Sequence, residues 1–290
     1  VIIPELEGVT LTKGHGAGND FVLVPDLAGQ RTISEQTVAA ICDRHLGVGA
    51  DGLIRVVRTA HVPEMADVAA AHPEAEWFMD YRNADGSVAQ MCGNGVRVFV
   101  HYLRIQGLID LVSGEEVAVA TRGGVRTVRF NDTDYTVDMG EYGLPFGPGG
   151  ADTTVDIPGV GIRPAVSVTM PNPHTVVLLQ NLAELEAADL HHAPQYDPVP
   201  KDGTNLELAV PGEVTAMRVL ERGVGETLAC GTGTCAVALA VLLARGDCAG
   251  RVEIDARGGH LSVLIEGGRA FLTGPAILVA EVNVLGIAGH

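Results

Sequence analysis

Met91-Cys92-Gly93-Asn94-Gly95 and Ala229-Cys230-Gly231-Thr232-Gly233 decide the fold of this sequence. Each is a cysteine followed by a Gly-x-Gly turn. Each leads into a run with helical spacing, Val96 to Gln106 in the first and Thr234 to Arg245 in the second. The pattern predicts a thiol at each of two helix N-termini. The first backbone N–H groups of a helix have no partner within it and the macrodipole is positive there, so a thiolate or a docked carboxylate is stabilised. The glycines let a ligand approach the bare backbone and accept positive φ.

The two cysteines lie 138 positions apart in a chain of 290, which predicts two domains of about 140 residues. An apolar fraction of 47% builds a core, and with only 4% aromatic residues that core is Val, Leu, Ile and Ala. The longest apolar run, Cys235 to Ala244, has ten residues, short of the roughly 20 that cross a bilayer. The first residues show no charged-then-apolar signal pattern. A soluble, cytoplasmic protein is expected. Five cysteines without metal-ligand spacing, in a chain too long to need a disulfide framework, are expected to be reduced thiols with no metal. The formal net charge of −17 argues against nucleic acid or an anionic membrane as partner, since both select basic surfaces. Only Lys13 and Lys201 stand against 17 arginines, and neither lysine is near the cysteine stretches. Pyridoxal phosphate needs a Schiff-base lysine, so amino-acid chemistry here is expected to use no cofactor.

Along the chain, residues 9–13 and 21–24 read as strands around the turn Gly14 to Asp20, which presents Asn19. Val38, Ile41, Cys42 and His45 carry the spacing of a helix beginning near Ser34, with Cys42 in the core. Residues 53–57 and 77–82 read as strands, 60–75 as a surface loop, and 83–87 as a turn. Gly107 is a helix stop. Strands are expected at 115–121, 125–130 and 134–138, followed by a Gly- and Pro-rich boundary at 140–161. The second half reads as strands at 164–170 and 174–180, a helix at 182–190 and a strand at 214–220. Cys235 to Ala244 is apolar all round, as in a helix buried on every side, and Gly246 ends it. Strands at 251–256, 259–266, 269–273 and 276–284 complete the chain. Each half is strands wrapped around a central helix headed by a cysteine.

If the halves are related by approximate two-fold symmetry, the two thiols face one another across a cleft. One thiolate then removes a proton from a carbon and the opposite thiol delivers another to its other face, inverting a stereocentre. A helix N-terminus lowers a thiol pKa towards neutrality, so a thiolate and thiol pair near pH 7 is expected. A single cysteine before a glycine is more often a buried small residue than a base, but two in matching contexts, one per half, point to chemistry. Cys235 and Cys248 have no such context, the Cys92 and Cys230 spacing is not the Cys-x-x-Cys of a redox pair, and His191 and His192 have no third metal ligand.

These residues resemble the diaminopimelate epimerase family nearly end to end. The likeness is carried by His15 to Val22 (HGAGNDFV), Asn83 to Ser87 (NADGS), Met91 to Arg97 (MCGNGVR), Asn172 to His174 (NPH), Glu221 to Thr227 (ERGVGET) and Ala229 to Gly233 (ACGTG). The resemblance implies an α/β (α+β) fold of two similar domains related by pseudo-two-fold symmetry, each a mainly antiparallel sheet wrapped around a central helix. Their implied extents are 1–138, with 273–290 returning to it, and 139–272. It implies interconversion of LL- and meso-2,6-diaminopimelate for lysine and peptidoglycan synthesis, without cofactor or metal, by a homodimer. Cys92 and Cys230 are similar to the acid/base thiols, and Gly93, Asn94, Gly231 and Thr232 to the cradle at the reacting end. Asn19, Asn83, Asn172, Asn205, Glu221 and Arg222 are similar to the polar set that holds the rest of the substrate.

Two positions depart from the family pattern: Gly52, where many members carry Gln, and Pro171, where many carry Gly. The nearest alternative is a proline or hydroxyproline racemase, whose first cysteine motif typically has His at the position of Asn94. The Glu221-Arg222-Gly223 pattern favours diaminopimelate. A binding or redox-sensing protein that uses the cleft without catalysis is the alternative from another class.

Overall fold

The computed structural model describes residues 4–285. The chain divides into two compact units, one formed by residues up to Val137 together with those from Pro275 onward, the other by Asp138–Gly274.

In the first unit, β1 (Thr10–Gly16), β2 (Asn19–Pro25), β3 (Gly52–Arg58), β4 (Trp77–Asn83), β5 (Glu116–Ala120), β6 (Arg126–Asn131) and the first half of β7 (Asp134–Glu141), up to Val137, lie side by side in chain order. Their pairings run antiparallel, parallel, antiparallel, parallel, antiparallel, antiparallel. Parallel neighbours cannot be joined by a tight turn and need a crossover. Helix α1 (Glu35–Cys42) crosses from β2 to β3. After α2 (Ala66–Ala71), between β3 and β4, α3 (Gly93–Ile105) crosses from β4 to β5.

The second unit contains β8 (Thr153–Ile157), β9 (Gly161–Thr169), β10 (Pro173–Leu178), α4 (Leu182–Ala187), β11 (Gln195–Asp197), β12 (Asn205–Val210), β13 (Val214–Glu221), β14 (Gly225–Thr227), α5 (Gly231–Arg245), β15 (Gly250–Ala256), β16 (Gly259–Glu266) and β17 (Arg269–Pro275). The succession β9, β10, β12, β13, β15, β16, β17 repeats the same six pairing senses. Here α4 and α5 make the two parallel crossovers. The parallel extends to the first strand of each set, since β8 pairs antiparallel with β9 as β18 (Ile277–Asn283) does with β1. Each unit is therefore one copy of a mixed, mainly antiparallel α+β plan. Residues 286–290 of the segment expected to return to the first domain lie outside the described residues.

The sheet of each unit wraps its cysteine-headed helix. Helix α3 packs on β1, β2, β3, β4, β6 and β18, and α5 on β9, β10, β12, β15 and β16. Val96, Phe99, Val100 and Leu103 are buried along α3, and Cys235 through Leu242 are buried on every face of α5. Both helices stop at glycines in the left-handed region, Gly107 at φ 65° and Gly246 at φ 83°, a conformation that costs a glycine least. Ser34 caps α1 by accepting from Thr37 N, and Cys42 sits in the core with its thiol pushed up to about 12 by burial. No described helix is long and apolar enough to cross a membrane.

Some expectations need correction. His45 is exposed and outside α1, because Asp43 ends the helix and its carboxylate accepts from His45 N and Leu46 N. Residues 60–75 are not a plain loop: they hold 3-10 turns and α2, which buries no residue and so has no apolar period to read. The Gly- and Pro-rich stretch 140–161 contains β8, whose Val155 and Ile157 enter the core. Strands β11, β12 and β14 were not anticipated.

Candidate active site

In the first unit Cys92 is the N-cap of α3, with φ −140° and ψ 120°, and its Sγ accepts from Gly95 N at 3.4 Å. Asn19, at the start of β2, presents Oδ1 to the Cys92 Sγ at 3.4 Å and accepts from Asn94 Nδ2 at 3.3 Å. Its other end is fixed, because Asn19 Nδ2 donates to Asp51 Oδ2 at 2.7 Å. The Asn94 side chain is fully buried and its Oδ1 accepts from Arg97 Nη2 at 2.9 Å. Arg97, also fully buried, reaches back to the Gly93 carbonyl at 3.4 Å and across to the Pro275 carbonyl at 3.3 Å. Asp51 and Arg97 thus bracket the thiol and hold Asn19 and Asn94 in register beneath it.

The Asp51 end is braced by charge. Arg44 bridges Asp20 and Asp51 at 2.8 Å each, and Lys13 lies 2.7 Å from Asp20. Burial opposes the Asp20 charge, but hydrogen bonds from Arg44 and Lys13 win and hold its carboxyl at about 2, below the ordinary 3.8. A depressed carboxylate adds stability that is complete above its unfolded pKa and is lost as pH falls through the folded one. Asp20→Asn should therefore flatten the acid limb between about pH 4 and pH 2 in urea midpoints. Equal slopes for variant and wild type would contradict the assignment.

Asn83 donates from Nδ2 to Ser87 Oγ at 3.0 Å, closing its turn, and lies opposite Gly52 in the β3/β4 register. No side chain reaches out from position 52. A β-carbon there would stand 2.5 Å from the Arg82 carbonyl oxygen and 2.6 Å from Tyr81 Cε2. The Tyr81 ring fills the space, packed edge-on against Phe21 with centroids 5.7 Å apart. Gly52→Ala should cost about 1–3 kcal/mol in urea unfolding, the price of overpacking; an unchanged midpoint would mean that the ring yields freely.

In the second unit Cys230 caps α5, is only 8% exposed, and places Sγ 3.4 Å from Thr232 Oγ1. Its thiol differs from the expectation of a lowered pKa. Burial pushes it well above the usual value, the carboxylates of Glu221 and Glu207 add to the rise, and the hydrogen bonds of Thr232 and Gly233 recover only part. The helix terminus loses here to desolvation.

The rest of this unit's polar set gathers around the β13 end. Asn205 Oδ1 accepts from Arg222 N at 2.9 Å, and Thr227 Oγ1 donates to Glu221 Oε1 at 2.5 Å. Arg222 is exposed and donates to the Asp202 carbonyl, and among the described residues no carboxylate pairs with it. Asn172 Oδ1 lies 3.1 Å from His174 Nε2, and His174 Nδ1 lies 2.7 Å from Glu207 Oε1. Gly233 is glycine because a β-carbon there would stand 2.5 Å from Glu207 Oε1.

Within their units the structure joins Asn19, Cys92, Gly93 and Asn94 in one hydrogen-bonded group, and Cys230, Gly231 and Thr232 at one helix start. It joins Asn205 to Arg222, while Asn83 and Asn172 bond to other neighbours. Sequence reasoning passed over Asp51, Arg97, His174 and Glu207. Arg97 and His174 lay inside quoted stretches, and Glu207 was signalled only by a charge within the apolar Asn205–Val210 run. Among the described residues no group of three or more His, Cys, Asp and Glu could hold a metal ion.

Comparison with known proteins bears on what such a pair of helix-capping thiols belongs to. The profile of the diaminopimelate epimerase family matches residues 11–144 and 166–279. A diaminopimelate epimerase of Streptomyces coelicolor is 46% identical over 286 residues, covering 94% of each chain. One from Mycobacterium leprae is 44% identical over 283 residues, covering 93% of this chain and 94% of the relative. Among solved structures, a Bacillus anthracis phenazine biosynthesis protein of the PhzF family aligns with a TM-score of 0.67 at 15% identity, covering 96% of this chain and 99% of its own. A hydroxyproline epimerase from Agrobacterium vitis aligns with 0.63 at 13% identity, covering 94% and 91%. At those identities the two structures show a shared fold only. The full-length likeness in sequence settles the family: the chain belongs to the diaminopimelate epimerases.

Proposed function

We propose that this chain interconverts LL- and meso-2,6-diaminopimelate, a step of lysine and peptidoglycan synthesis, by a cofactor-independent mechanism in which Cys92 and Cys230 are the acid/base pair. The observation that carries this reading is the repeated plan: each unit of identical strand order heads its central helix with a cysteine as N-cap. In one direction a thiolate takes the α-proton, so the Cα–H bond breaks, an S–H bond forms, and the electron pair delocalises onto the carboxylate. The other thiol then gives its proton to the opposite face, and its S–H electrons remain on sulfur. Backbone N–H groups at Gly93, Asn94, Gly231 and Thr232 receive the carboxylate as charge builds on it.

Burial raises the proton affinity of the Cys230 thiol, which suits it to deliver the proton in one direction of the relay. Asn19 serves the reacting end in this reading, since it touches the Cys92 thiol. Arg222, which pairs with no carboxylate among the described residues, takes the distal carboxylate. Glu221, with Asn83, Asn172 and Asn205, completes the distal amino-acid centre. The resemblance carries two further expectations, a homodimer and a cytoplasmic location, which sedimentation and cell fractionation test.

Incubation in D₂O with diaminopimelate and separately with proline tests the reading, followed by NMR of the α-positions. Exchange at diaminopimelate alone is expected. Exchange at proline instead would assign a racemase, and exchange at neither would assign a binding protein.

A further inference from the structure

Glu207 sits in the middle of β12, where Leu206 and Leu208 on either side join the apolar core of the unit and Glu207 turns to the other face. Neither its side chain nor that of His174 is exposed at all. A polar group buried this deeply costs stability unless it is bonded. Glu207 Oε1 has its partner in His174 Nδ1 at 2.7 Å, but Oε2 is buried with no hydrogen-bond partner. That oxygen is a buried acceptor left unbonded, which costs stability.

On the far side of the ring, His174 Nε2 meets Asn172 Oδ1 at 3.1 Å. Both ring nitrogens therefore face oxygens. An amide oxygen only accepts, so Nε2 must carry a hydrogen. An ionised Glu207 beside a neutral imidazole would draw the single N–H to Nδ1 and leave Nε2 bare. Asn172 would then turn its NH₂ to the ring and its carbonyl outward. With Asn172 Oδ1 against Nε2, hydrogen bonding at both ring nitrogens requires one proton more, between Glu207 Oε1 and His174 Nδ1. Its consequence is an amide with Oδ1 turned in and Nδ2 free, since no described residue bonds to that nitrogen.

We propose that Glu207 is a positioning residue for substrate binding: by sharing a proton with His174 it locks Asn172 with its NH₂ outward, as a donor for a carboxylate rather than an acceptor for an ammonium. Gly233 makes this possible, because only a residue without a β-carbon lets the carboxyl lie against the first turn of α5. The identity of the carboxylate rests on the function proposed above, whereas the hydrogen pattern is a property of the free chain.

The test joins NMR to kinetics. In ¹⁵N-histidine spectra of the free wild-type protein, His174 Nε2 should be protonated. Glu207→Gln retains a donor to Nδ1 and so the Nε2–H tautomer, and its KM for diaminopimelate should stay within about threefold of wild type. Glu207→Leu removes the partner, and its KM should rise about tenfold, the loss of one hydrogen bond to a charged group, with kcat changed less. A bare Nε2 in the wild type, or a Glu207→Gln variant as impaired in KM as Glu207→Leu, would overturn the proposal. Should Glu207→Leu not fold, the spectra decide. Absence of wild-type turnover would sink the functional reading instead, and the spectra would still judge this one.

Discussion

Cys230→Ser leaves the chain folded and lowers LL-to-meso conversion by about a thousandfold or more, and Cys92→Ser does the same. A serine hydroxyl is far too weak an acid to supply either half of a proton relay, and each half is indispensable because inversion needs a base on one face and an acid on the other. The loss corresponds to about 4 kcal/mol of transition-state stabilisation. Folding should survive for a different reason in each unit. Cys92 already accepts from Gly95 N as an N-cap, a task serine performs at least as well. At Cys230 the exchange of sulfur for oxygen is nearly isosteric, and Thr232 Oγ1 remains a partner. Circular dichroism and urea unfolding check the fold, and chiral chromatography of the product checks the rate. Turnover near wild type in either variant would remove the two-thiol mechanism.

Arg222→Lys keeps the charge and should still raise KM by tenfold to about a hundredfold, or about 1.5–3 kcal/mol, the scale of hydrogen bonds to charged groups. The guanidinium fork meets a carboxylate with two parallel N–H bonds, and an ammonium offers only a point charge. The geometry sharpens the expectation. Asn205 accepts from the Arg222 backbone and the Asp202 carbonyl accepts from its guanidinium, so the side chain is aimed before any ligand arrives. Lysine would lose that aim as well as the fork. Initial rates across diaminopimelate concentrations measure it, and an unchanged KM would make Arg222 a structural residue.

Much of this molecule is legible in its sequence because its main features are local. Cys-Gly-x-Gly followed by helical spacing, with Gly107 and Gly246 as stops, is enough to place α3 and α5 within a few residues. The core was readable for the same reason, as β-branched and leucine alternation marks most strands. What stayed hidden depends on contacts distant in the chain. Strand β12 was masked because Glu207 interrupts an apolar run, and its partner His174 lies 33 positions away. Asp51 reaches Asn19 across 32 positions, and no spacing rule announces that contact. Helix α2 was invisible because it buries nothing. The Cys230 thiol was misjudged because a helix terminus can be read from sequence, whereas the depth of burial and the nearness of Glu207 and Glu221 cannot.

The central claim is that two different thiols serve the two faces of one carbon, and the most direct measurement is the early label distribution in D₂O. LL-diaminopimelate should be sampled within the first few per cent of conversion, and product and recovered substrate analysed by mass spectrometry. Two exchangeable thiols predict deuterium at the inverted carbon of essentially every meso molecule, while recovered LL substrate remains protiated. A single group that removes and returns the same hydrogen would leave protium in the meso product, and that result would contradict the account.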